Sequence, residues 1–226
     1  MASWKTHIKI THELINALPE LDTIDFIVGN IAPDCNLENE DFTSFVPPRR
    51  ETHYMLGDSK LTVDAKGFIK KYLHSELVSN RDFYLGYLAH LITDMEFQKY
   101  IREPKRVANI YKRLHKEGLS EQFANLPEDF DTLKAIYSKQ TIFENLEVFE
   151  NNDVTYRPTW NRLLEVNHYV IPIAGFKEDA VNRKIPVMTC EEKVSGSNGL
   201  FFDQTRYLEF ISHVVTILIE QINDLT

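Results

Sequence analysis

Phe83-Tyr84-Leu85-Gly86-Tyr87-Leu88-Ala89-His90-Leu91-Ile92-Thr93-Asp94 decides how this chain is read. The run is apolar over most of its length, so it reads as a helix packed into a core, yet it carries an imidazole and a carboxylate four residues apart. At that spacing His90 and Asp94 leave one helix face a turn apart and can converge on one metal ion. A packed face has no solvent to compensate a charge, so something else must. Either the two groups satisfy each other and the neighbouring backbone, or they share a cation.

Outward from this helix, expected over Asp82–Ile101 and stopped near Pro104, helical spacing of apolar residues recurs along the chain. It predicts helices over Thr6–Leu18, Asp64–Leu77, Arg106–Lys116, Asp129–Tyr137, Thr141–Phe149, Pro158–Ile171 and Thr205–Asp224. The segment Phe26–Cys35 is an apolar run cut by Gly29 and Pro33, and it reads as loop-rich through Pro47 and Pro48. Ile185–Phe202 reads as extended or irregular. The expectation is an all-α multi-helix bundle forming a single domain over residues 1–226, without internal repeats or low-complexity tracts.

Composition narrows the function classes. A length of 226 residues allows a full core, and 43% hydrophobic with 26% charged residues is the balance of a soluble globular protein. A net charge of -9 argues against a surface that coats nucleic acid. No apolar window is long enough for a transmembrane helix, and the N-terminus lacks the pattern of a secretory leader, so a cytoplasmic protein is expected. Cys35 and Cys190 then read as free thiols rather than a disulfide.

Further ligand-type residues lie upstream of the central helix. His7 is on the first helix, Asp34 closes Gly29-Asn30-Ile31-Ala32-Pro33-Asp34, and His53 follows Glu51-Thr52. Each has an ordinary alternative: His7 as a core histidine, Asp34 as a helix cap or turn residue, His53 as a surface or capping histidine. Together with His90 and Asp94 they make three imidazoles and two carboxylates, a mixed nitrogen and oxygen set that suits zinc, with a carboxylate able to bridge two ions. His12 and His74 read as surface residues and His213 as a satisfied core residue.

In these residues the chain resembles the bacterial zinc-dependent phospholipase C family, whose all-α fold is shared by zinc-dependent single-strand nucleases. Tyr84-Leu85-Gly86 running into His90-x-x-x-Asp94 looks like the family's metal-helix segment. Asp34 and His53 precede it in the family's order, and His7 stands where the family has its first-helix histidine. The resemblance implies one zinc held by Asp34, His53, His90 and Asp94, and a second held by His7 and Asp94. The chain departs from the family in three places. Trp4 follows Met1-Ala2-Ser3 instead of beginning the chain, Gln98 and Tyr100 occupy the stretch where a further histidine is expected, and no later His-x-x-x-Glu occurs. Glu96, His115, Glu117 and His168 are candidate replacements.

With one or two zinc ions, the expected activity is hydrolysis of a small phosphate-ester or phospholipid-like substrate by a metal-activated water. Asp34 is the candidate catalytic base. The alternative is a metal-stabilised helical protein that binds or regulates without catalysis.

Overall fold

The computed structural model describes residues 2–39, 41, 43–57, 61–74, 78–189 and 199–225. Among them 65% of the chain is helical, in eleven α-helices with one two-stranded sheet, which makes the fold all-α. In chain order the helices are α1 (Trp4–Ala17), α2 (Thr23–Ile31), α3 (Arg49–Thr52), α4 (Ala65–Tyr72), α5 (Arg81–Ile101), α6 (Pro104–Lys116), α7 (Phe130–Ile136), α8 (Lys139–Asn152), α9 (Arg157–Leu164), α10 (Ala180–Met188) and α11 (Gln204–Asn223). Strands β1 (Leu37–Glu38) and β2 (Phe45–Val46) pair antiparallel, Leu37 opposite Val46.

The quoted stretch is the axis of the molecule. All twelve residues from Phe83 to Asp94 are buried within α5, because α1, α2, α4, α6 and α11 pack around it. The α2–α5 contact is the most extensive, and two glycines permit it. A Cβ on Gly29 would lie 2.0 Å from the Phe83 carbonyl oxygen, and one on Gly86 would lie 2.2 Å from that of Phe26. Neither position tolerates a side chain while the backbones stay this close.

The start of the region expected to be loop-rich, from Phe26 to Ile31, is therefore helical, while the described residues after Asp34 and up to Pro48 are irregular apart from β1 and β2. Asp22 caps α2 by accepting from the backbone N–H groups of Ile24 and Asp25, and Gly29 is a packing residue rather than a breaker. Pro33 does stop the helix: the chain tightens into a 3-10 turn, Ala32–Asp34, that ends on Asp34. Two other expectations are corrected. The helix predicted to reach Ile171 ends at Leu164, and α10 occupies Ala180–Met188 although its last turn was read as irregular. Cys190 lies outside the described residues, and Cys35 is a buried free thiol whose pKa burial pushes up.

One cluster of buried apolar side chains runs from Ala2 to Ile222. No helix of the described residues is long and apolar enough to cross a membrane.

Candidate metal centre

Five of the ligand-type residues singled out in the sequence meet inside the core. His7, His53 and His90 are 0% exposed, Asp94 is 1% and Asp34 is 2%. Four local devices bring them there. The side chain of Ser3 caps α1 by accepting from Thr6 N–H, which starts the helix that holds His7. The turn imposed by Pro33 holds Asp34, the C-cap of α3 is His53, and successive turns of α5 carry His90 and Asp94.

Backbone carbonyls fix the orientation of two of the imidazoles. Nδ1 of His90 donates to the Asn30 carbonyl at 2.6 Å, and Nδ1 of His53 lies 3.1 Å from the Arg49 carbonyl and 2.9 Å from the Thr52 hydroxyl. A carbonyl only accepts, so a proton sits on His90 Nδ1 and Nε2 is the atom turned to the cluster. The Nε2 atoms of His90 and His53 face each other at 3.3 Å. Asp34 Oδ1 lies 3.2 Å from His53 Nε2, and Asp94 Oδ2 lies 3.4 Å from His90 Nε2 and 3.7 Å from His53 Nε2.

Two carboxylates and two imidazoles turned toward one another without solvent are costly unless a cation lies among them. A proton placed on one Nε2 serves one neighbour only. A four-coordinate ion with bonds of about 2.0–2.1 Å has ligand-to-ligand edges of about 3.3–3.4 Å. The four observed separations of 3.2 to 3.7 Å are of that size, so these side chains stand at the spacing of ligands around a small cation.

Asp94 also faces the other way. Its Oδ1 accepts from the Ala2 backbone N–H at 3.0 Å and lies 3.7 Å from His7 Nε2. The His7 ring stacks on His90 at a centroid distance of 4.0 Å and an interplanar angle of 1°. Neither ring nitrogen of His7 has a hydrogen-bond partner among the described residues. Burial, reinforced by the neighbouring His90, lowers its pKa to about 4, so the ring is neutral with a lone pair to offer. Two three-residue groups able to hold an ion result, His7-His90-Asp94 and Asp34-His53-His90.

Sequence reasoning missed the partners that hold these ligands. The Trp4 indole Nε1 donates to Asp34 Oδ2 at 3.2 Å, joining α1 to the Pro33 turn. The carbonyls of Asn30 and Arg49 carry no sequence signal, since any residue supplies one. The remaining candidates fall elsewhere: His115 pairs with Glu128 on the surface, Glu96 faces Lys99 and His213, and neither Glu117 nor His168 belongs to a group that could hold an ion. His213, expected in the core, is 63% exposed on the outer face of α11. No family model, curated protein or solved structure matches this chain.

Proposed function

We propose that the protein is a zinc-dependent phosphoesterase resembling the phospholipase C family, acting on a small phosphate ester. The observation that carries this reading is the two-sided disposition of Asp94, with Oδ2 toward His53 and His90 and Oδ1 toward His7. A carboxylate so placed suits two ions, and His7 with Asp94 would leave the second ion short of protein ligands. Zinc in such a set supplies Lewis acidity and brings the pKa of a coordinated water down to about 7. Asp34, whose Oδ2 is held by the Trp4 indole, is the residue proposed to orient the attacking water and take its proton. The net charge of -9 favours a soluble ester over an anionic lipid surface.

A second reading has its own observation. Asp34, His53 and His90 form a group that could hold an ion by themselves, and all five candidate ligands are buried, as in a metal site that serves the fold alone. One experiment separates the two. Protein purified without chelator is analysed for zinc, loaded with excess zinc, dialysed, and assayed on mono- and diester nitrophenyl phosphates. About two zinc per chain with hydrolysis abolished by Asp34→Asn supports the phosphoesterase. One zinc per chain without turnover replaces it with the structural reading.

A further inference from the structure

Glu150 is a buried carboxylate that belongs to neither group able to hold an ion. Helix α8 carries it to the first turn of α1, where its Oε1 accepts from the Ser3 hydroxyl, from Thr6 Oγ1 at 2.5 Å and from the Tyr207 hydroxyl at 3.2 Å. Tyr207, on α11, also lies 3.1 Å from Thr6 Oγ1. One carboxylate oxygen thus ties together α1, α8 and α11. Burial raises the pKa of Glu150 against the opposing pull of those hydroxyls, so the group sits in an unfavourable place. An apolar residue there would serve packing at least as well.

The turn that Glu150 holds is the one that delivers α1 to the metal cluster. Ala2 N–H reaches Asp94 Oδ1, Trp4 Nε1 reaches Asp34 Oδ2, and His7 directly follows Thr6. A backbone N–H cannot be re-aimed by a rotamer change, so its direction depends on where the helix begins. We infer that Glu150 is a positioning residue of the metal centre, fixing the first turn of α1 through Ser3 and Thr6 so that Ala2, Trp4 and His7 meet Asp94 and Asp34. This rests on the reading of the cluster as a zinc site.

Zinc affinity, measured by competition with a chromogenic chelator, tests the assignment on the full chain. Glu150→Gln retains a carbonyl oxygen for the hydroxyls and is expected to bind zinc within about threefold of the parent, while Glu150→Leu binds about tenfold or more weakly. Thr6→Val, which removes one of the ties at constant shape, is expected to weaken binding in the same direction and carries the test should Glu150→Leu not fold. Leu133→Ala, a cavity variant on α7 at a buried side chain that makes no hydrogen bond to Ser3, Thr6 or Glu150, loses stability but is expected to keep the parent's affinity. Parent-like affinity in both Glu150→Leu and Thr6→Val overturns the inference, as does an equal loss in Leu133→Ala. A parent chain that binds no zinc overturns the metal-site reading itself, and this inference with it, before any variant is compared.

Discussion

Nδ1 of His90 donates to the carbonyl of Asn30 at 2.6 Å, so the imidazole that sits at the middle of the cluster is aimed by the helix packed against it. Asn30 returns a second tie, its Nδ2 donating to the Gly86 carbonyl at 3.3 Å. Both bonds depend on the closeness of α2 and α5, and that closeness depends on Gly29 and Gly86. Imidazole orientation and helix packing are therefore one property of this pair.

Gly86→Ala tests that dependence. The added Cβ would lie 2.2 Å from a backbone oxygen, which has no rotamer through which to move away. The helices must separate, at a cost of about 1–3 kcal/mol or more. A lower urea midpoint together with reduced zinc retention is expected. A variant with the parent's midpoint and metal content would show that the crossing is looser than its geometry implies.

The all-α class was legible because apolar residues recur at helical spacing in long stretches such as Arg81–Ile101, and the sequence-derived boundaries there lie within a residue of the helix. Helix α2 was not legible, because Gly29 and Pro33 look alike as breakers in one dimension. Only the packed structure distinguishes a glycine that ends a helix from one that lets another helix approach. The candidate ligands were legible as residue types, since His and Asp in apolar surroundings are conspicuous. The partners that orient them were not: main-chain carbonyls of Asn30 and Arg49 are invisible in sequence, and Trp4 stands out there only as displaced from the start of the chain. His213 was misread because its apolar neighbours Ile211 and Val214 point inward while it points out, a matter of helix phase that a short window does not resolve.

Asp94 and His7 should differ in what they remove. Asp94 faces both sides of the cluster, so Asp94→Ala is expected to reduce bound zinc to near zero. His7 lies on one side only, and His7→Ala is expected to lose about one ion and keep the other, held by Asp34, His53, His90 and Asp94. Elemental analysis of the dialysed proteins reads both outcomes. Equal metal content in the two variants would contradict the two-sided role of Asp94.

Stripping the metal should cost stability, since the carboxylates of Asp34 and Asp94 and the imidazoles of His53 and His90 would remain buried facing one another. Zinc at about a hundredfold over its dissociation constant contributes roughly 2.7 kcal/mol to the native state, equivalent to about 5–11 °C in melting temperature for a chain of this size. Chelation is expected to lower the melting temperature by that order, and added zinc to restore it. A melting temperature indifferent to chelator would mean that the cluster satisfies itself without an ion.

Trp4 offers a direct optical view of the centre. The chain has two tryptophans, Trp4 and Trp160, so Trp160→Phe leaves only the indole whose N–H donates to Asp34. Drawing the Asp34 carboxylate toward a cation weakens its acceptance from that N–H, and the emission of Trp4 is expected to change as zinc is added and to saturate at the measured stoichiometry. The complementary variant, Trp4→Phe, keeps an aromatic ring in the core but loses the donor. Because a hydrogen bond to a ligating carboxylate fixes its orientation, zinc affinity is expected to fall by about tenfold while helical content holds. Should Trp4→Phe bind zinc as tightly as the parent, Asp34 is oriented by the Pro33 turn alone and the indole serves packing only.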